Sequence, residues 1–252
     1  MKILVFAALP GEIGRITRQL EARRAEPAGG RRTYKALAGG KKITIVLTGM
    51  STKNAAFSAG LVLPREIFRP DIVLNAGFAG ALYPEARHGD IVCPEKVLLY
   101  PEGEMLDIGG ADYESLLAKI PEKEKVKKRG LAVTLSKWAQ KPEIEEFLLA
   151  ANGVSSARFP VCDMETFTLA RAALKTGAAF LGIRAISDVP GEELGFDPLD
   201  IADANGQISL RRAAIKFIRA PRLIPQAMRL RKSSGAAAQS LAQAVVSLIE
   251  SL

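Results

Sequence analysis

The sequence predicts an α/β fold, a single domain built on a central mixed, mostly parallel sheet flanked by helices. Strongly apolar runs recur along the chain with helical patterns between them, and that alternation implies parallel strands covered by helices on both faces. Most of these runs are nearly continuous in hydrophobicity, as strands buried on both faces are. With 252 residues, 48% of them apolar, the chain can bury one sizeable core without dividing.

The elements follow in order. Residues 3–9 read as the opening strand, and Pro10 then starts a helix with Ile13, Ile16 and Leu20 on one face, proline suiting a first turn. A strand at 43–47 and a helix at 52–63 come next, followed by strands at 72–75, 91–99 and 131–135. Helices are expected at 142–151 and 165–175, with a strand at 178–186 after them. A last helix, 236–252, sets Leu241, Val245, Leu248 and Leu252 at helical spacing. Neither an internal repeat nor a low-complexity linker interrupts the series. Residues 1–252 are therefore expected to form one domain, with a basic helical extension from about 206.

Composition excludes several classes. No apolar run reaches the roughly 20 residues of a membrane span. The start, MKILVFAALPGE, is too short and lacks the small-residue cleavage site of a secretory signal, so it reads as the first strand of a cytoplasmic protein. Cys93 and Cys162 lie in apolar stretches without CxxC spacing and read as buried reduced thiols. With His88 the one histidine, Ser–His, Cys–His and multi-histidine metal sites fall away. Acid–base work is left to carboxylates. Neither a metal nor a cofactor is expected.

Charge is uneven. Residues 206–249 contain no acid but eight bases (Arg211, Arg212, Lys216, Arg219, Arg222, Arg229, Arg231 and Lys232), matching the whole net charge of +8. Phe217 is the one aromatic there and no nucleic-acid motif is present, so no nucleic-acid partner is expected. Two readings remain: a solvated or subunit-facing helix, or a peripheral contact with anionic membrane through Arg211 to Lys232. Pro221 and Pro225 are expected to break this segment into two short pieces.

In open parallel sheets, ligands bind beyond the carboxyl ends of the strands. The first strand end carries Glu12 in the opening turn of a helix, and the third carries Asn75-Ala76-Gly77-Phe78-Ala79-Gly80, whose small residues let backbone N–H groups approach a ligand. Ser136 and Trp138, the only tryptophan, follow the fifth strand; Asp163, Met164 and Glu165 open a helix; Arg184 leads to Ser187 and Asp188. Each acid alone could be a cap or a helix N-terminal charge. Together, carboxylates and one large aromatic converge on a single rim.

At these residues the chain resembles the nucleoside phosphorylase and nucleosidase superfamily, in particular the bacterial methylthioadenosine/adenosylhomocysteine nucleosidases, from Met1 to about Val189. The strongest match is Arg184-Ala185-Ile186-Ser187-Asp188. Supporting matches are Met1-Lys2-Ile3 through Glu12, Gly49 to Ala56, Asn75 to Gly80, Gly89-Asp90-Ile91-Val92 and Met164-Glu165. The resemblance implies hydrolysis of the N-glycosidic bond of an adenine nucleoside. Asp188 would bond the base and act as general acid, with Ser187 beside it. Glu12 would activate water with help from Arg184. Glu165 and Met164 would hold the ribose, Trp138 and the main chain of Ala139 the base, and Gly77 and Phe78 would line the site. Protonation stabilises a departing purine, and carboxylates stabilise the positive charge that develops on the ribose.

The chain departs from the family pattern in three places. Phe78 replaces a serine, Thr134-Leu135-Ser136 replaces Ser-Gly-Asp, and Asp163 stands where a longer acid is common. The tail resembles that of hopanoid-associated members, which act on an adenosylated lipid, so a lipid-linked nucleoside is a second candidate substrate. Glu12 stands where a phosphorylase would place a cationic cradle, which favours water over phosphate. Phosphorolysis and non-catalytic nucleoside binding are the alternatives. The resemblance also implies a homodimer, with apolar residues around Val97 to Met105 as contributors.

Overall fold

The computed structural model describes residues 1–64, 69–121, 125–150, 158–192 and 194–252. Within them, ten strands form one sheet. They are β1 (Lys2–Ala7), β2 (Arg23–Ala28), β3 (Arg31–Ala38), β4 (Lys41–Leu47), β5 (Ile72–Ala81), β6 (Ile91–Tyr100), β7 (Glu104–Asp107), β8 (Val126–Leu135), β9 (Pro160–Asp163) and β10 (Ala179–Asp188). The helices are α1 (Pro10–Gln19), α2 (Thr52–Val62), α3 (Ala111–Ala118), α4 (Lys141–Ala150), α5 (Thr166–Leu174), α6 (Leu210–Arg219) and α7 (Ile224–Ser251).

The strand order is β10-β6-β8-β9-β5-β1-β4-β3-β2, and β10 pairs with β5 as well. Five strands thus close on themselves, and four more extend from β5 through β1. The longest ladders, β5 with β10 and β6 with β8, are parallel, as are those of β1 with β4 and β5. Antiparallel pairs bring in β2, β3 and β7 and close the ring at β5–β9 and β6–β10. Along β1 the side chains alternate between two cores. Ile3, Val5 and Ala7 pack with α1, α3 and α7, whereas Leu4 and Phe6 pack with α2 and α5. Burial on both faces explains why the run reads as unbroken hydrophobicity.

β5 is longer than expected. It continues past Asn75 to Ala81, because β10 pairs with it as far as Gly80 and β9 pairs with Gly80 and Ala81. The glycine-rich run is therefore strand, not a loop beyond one. Missed from the sequence were β7, β9, α3 and the two hairpins that join β2, β3 and β4. Gly29-Gly30 and Gly39-Gly40 each form a two-residue turn with positive φ at both positions (58° and 81°, 54° and 76°), the geometry that only residues such as glycine adopt freely.

The basic segment divides in two as expected, but only the first piece is short. α6 stops at Arg219 before Pro221, but Pro225 lies in the first turn of α7, where its missing N–H costs nothing. α7 then runs for 28 residues and buries Ala237, Leu241, Val245, Leu248 and Ile249. Ala151, the expected end of α4, lies outside the described residues. Val97 and Leu98 are 0% and 1% exposed within the protomer, so of the proposed dimer contributors only the far end, such as Met105 at 40%, is free to meet a partner. No helix among the described residues is long and apolar enough to cross a membrane.

Candidate active site

The carboxyl ends of β1, β4, β5 and β10 meet at a buried cation. Arg184, on β10, is 1% exposed. Its guanidinium lies 2.8 Å from Asp163 Oδ2 and donates to Asn75 Oδ1 and to Thr166 Oγ1. A buried charge needs such a set of partners. Gly77 is its register partner on β5, and a Cβ there would overlap Arg184 Nη1 and stand 2.9 Å from Glu12 Oε1. The glycine makes room for the acid and the base to meet.

Glu12 is buried at the start of α1 and takes two backbone donors, Leu9 N at 2.7 Å and Phe78 N at 2.8 Å. Burial still pushes its carboxyl above the usual range, against the pull of those N–H groups and Arg184. Glu165, just before α5, accepts from Ser51 N at 3.0 Å. Its carboxyl is raised to about 8, chiefly by burial, with Arg184 opposing and Asp163 and Glu12 adding to the rise. Arg184 is directly paired with Asp163, so burial dominates at the other two acids. Ser51 caps α2 with φ of 100°, outside the usual regions for a side-chain-bearing residue, and its N–H faces Glu165.

A second group lies further along β10. The pairing with β5 slips between Ile186 and Asp188, a bulge that sets Asp188 beside Gly80. A Cβ on Gly80 would stand 2.6 Å from Asp188 Oδ2. Ser187 Oγ donates to Asp188 Oδ1 at 2.8 Å, and Lys141 Nζ lies 2.7 Å from Asp188 Oδ2. From Gly77 to Gly80 is about 10 Å at the strand rise of roughly 3.3 Å per residue. That is the scale of a sugar joined to a purine. One end offers two carboxylates around a guanidinium; the other offers a carboxylate that is 17% exposed.

A profile described as the phosphorylase superfamily matches residues 2–219. The chain belongs to the phosphorylase superfamily. Curated relatives include the 5′-methylthioadenosine/S-adenosylhomocysteine nucleosidases of Geobacillus kaustophilus (27% identical over 215 residues, 77% of this chain and 87% of the relative) and of Maridesulfovibrio salexigens (26% over 235 residues, 87% and 96%). Among solved structures, the nucleosidase of Neisseria meningitidis in complex with methylthio-immucillin-A aligns with a TM-score of 0.70 at 19% identity, over 100% of this chain and 99% of the other. A mutant futalosine hydrolase of Helicobacter pylori aligns at 0.69 and 16%, over 100% of both chains. At these identities the structures establish the shared fold.

In this superfamily member the expected residues fall in two groups. Glu12, Gly77, Phe78, Glu165 and Arg184 gather at one end, and Ser187 and Asp188 at the other. Met164 packs against the cluster that contains Ala139. Trp138 is half-buried on the 136–140 connection, next to the helix that supplies Lys141. Sequence reasoning missed Lys141, and missed Asn75, Thr166 and Ser51 as partners. Thr134 also joins, donating to Asp163 Oδ1 at 2.7 Å. The segment 197–208 crosses the strand ends, with Gln207 Nε2 bonded to Ala8 O and Gly206 O to Met50 N, each at 2.9 Å. A groove of about 550 Å³ lies at the opposite end of the sheet, lined by Lys2, Glu21, Arg23 and Lys42. It adjoins the amino ends of β1 and β4, where such sheets do not bind ligands, and the buried acids lie elsewhere.

Proposed function

We propose that this chain is a nucleosidase that hydrolyses the N-glycosidic bond of an adenine nucleoside and releases adenine. One observation carries this reading: Glu12 and Arg184 meet at Gly77 and Asp188 stands at Gly80, about 10 Å apart along β5. A nucleoside lying between them would present its base to Asp188 and its anomeric carbon to a water held by Glu12. Asp188 would protonate the base as the bond breaks, Glu165 would hold the ribose hydroxyls, and Glu12 would take the proton of the attacking water. Burial raises the Glu12 carboxyl and so makes it a stronger base than an exposed glutamate. Trp138, Ala139 and Met164 would flank the base and sugar.

Water is favoured over phosphate. Arg15 and Arg18 of α1 are exposed, and Arg184 is engaged by Asp163, so no free cationic cradle adjoins Glu12 among the described residues. The test is adenine release from methylthioadenosine, adenosylhomocysteine, adenosine and futalosine, with and without phosphate. The expected rate does not depend on phosphate; strict dependence on it would make the chain a phosphorylase. Binding without release of any base would make it a nucleoside-binding protein.

A homodimer working in the cytoplasm completes this reading. Its test is the solution mass, and a fully active monomer would count against it. A second reading, contact with anionic membrane and a lipid-linked nucleoside, draws on α6. Leu210 and Ile218 are 85% and 78% exposed, beside Arg211, Arg219 and Arg222. Each base near such a surface adds on the order of 1 kcal/mol. Co-sedimentation with anionic vesicles at low but not high salt supports it, and no binding at low salt removes it.

A further inference from the structure

Lys141 is the least expected charge in the molecule. It opens α4, where the helix dipole disfavours a cation, and it is 6% exposed, where a lone ammonium would be costly. Its three N–H groups face Asp188 Oδ2 at 2.7 Å, Val189 O at 2.7 Å and Asp188 O at 3.3 Å. A Cβ on Gly80 would stand 3.2 Å from Lys141 Cε, so the glycine leaves room for the lysine stem. The lysine is therefore committed to Asp188 and to the chain that carries it. This raises a chemical difficulty for the mechanism above: a carboxylate held by an ammonium has no proton of its own to give a departing base.

We propose that Lys141 and Asp188 act as a pair, with Lys141 the positioning residue that aims the carboxylate and holds the proton delivered through it. The inference rests on the nucleosidase reading. As the C1′–N9 bond breaks, its electron pair moves to the purine. A proton passes from Lys141 Nζ to the Asp188 carboxylate and from there to the base nitrogen. Neutral base and neutral lysine remain, Asp188 is again a carboxylate, and solvent restores the ammonium. Ser187 donates to the other carboxylate oxygen and so fixes the orientation of the group that Lys141 holds.

The test compares wild type, Lys141→Met and Lys141→Arg on two substrates. Methylthioadenosine needs its leaving group protonated, whereas 4-nitrophenyl β-D-ribofuranoside has a leaving group that departs as a stable anion. In K141M, kcat for methylthioadenosine should fall about 10²-fold, the usual size of a general-acid contribution, with KM changed far less. The loss on the nitrophenyl riboside should be at least tenfold smaller. K141R keeps the charge, but its guanidinium does not release a proton, so it should stay close to K141M on methylthioadenosine. Recovery of most of the activity in K141R would overturn the proton transfer. Adding K141M to D188N should cost nothing further, because the two act as one unit. Equal losses on both substrates would reduce Lys141 to a scaffold and overturn the pairing, as would full activity of K141M. Adenine titrations by calorimetry separate this from the nucleosidase reading. Tenfold weaker adenine binding in K141M supports the pair even if methylthioadenosine is not cleaved, and equal affinity in the two proteins overturns it.

Discussion

At the scale of the residue, the site is governed by too few cations for its acids. Arg184 neutralises Asp163, and the buried Glu165 is left with its carboxyl raised to about 8 against an ordinary 4.5. The native state therefore keeps a proton that the unfolded chain releases. The stability this contributes is complete below about pH 4.5 and lost as pH rises towards 8. Thermal melts should show a falling Tm across that window, and Glu165→Gln should flatten the fall. A slope unchanged in the variant would assign it to other groups. On the proposed mechanism, Asp188→Asn should keep a hydrogen bond to the base but end proton delivery, so kcat should drop by about 10²-fold or more. Glu12→Gln should abolish turnover while still allowing nucleoside to bind, which steady-state kinetics and a binding titration check together. Glu12, Glu165 and Asp188 could be picked from the sequence because each stands at a strand or helix boundary, whereas Arg184, inside β10, was marked only by the family resemblance of its run. Lys141 could not. Lysines are ordinarily solvated, and nothing local marks one whose partner lies 47 positions away.

At the scale of the element, the β5–β10 pair does most of the positioning. Two glycines on β5 face two functional side chains on β10, and the bulge at Ser187 sets the second pair in step. Gly77→Ala should force Arg184 from its buried place, lowering both stability, by about 1–3 kcal/mol for an overpacked core, and kcat. Melting curves and kinetics on one preparation would check both, and an unaffected variant would show that Arg184 has room to move. Most strands and helices were legible as apolar runs and helical spacing. The half-exposed hairpin strands β2 and β3 were not, although their Gly-Gly turns were a usable signal. The extension of β5 was hidden because a strand rich in Gly and Ala lacks the side chains by which strands are recognised.

At the scale of the whole molecule, α7 matters beyond its place in sequence comparisons. The superfamily match ends at residue 219, yet Leu241, Val245 and Leu248 of α7 are fully buried against α1, β1 and β10. A chain truncated after Arg219 should lose cooperative unfolding, and a sharp melt from it would show that the helix is dispensable. Leu241→Ala is the milder form, expected to cost about 2–5 kcal/mol.

The closed ring of five strands has a further consequence, for self-association. Ring closure removes one long edge of the sheet, and the far end terminates in β2, whose outer backbone groups have no strand beside them among the described residues. Such a border is where misfolded copies can stack into fibrils. β2 carries Arg23, Arg24, Glu26 and Pro27 in six residues, and proline withholds a donor that an incoming strand would need. These residues would then be gatekeepers whose worth appears only in concentrated solution. Replacing Arg24 and Glu26 by valine and Pro27 by threonine should leave the Tm of dilute protein nearly unchanged while turbidity and thioflavin fluorescence rise on prolonged incubation. Clear solutions from that variant would mean that the hairpin's twist, rather than its charge, keeps neighbouring molecules apart.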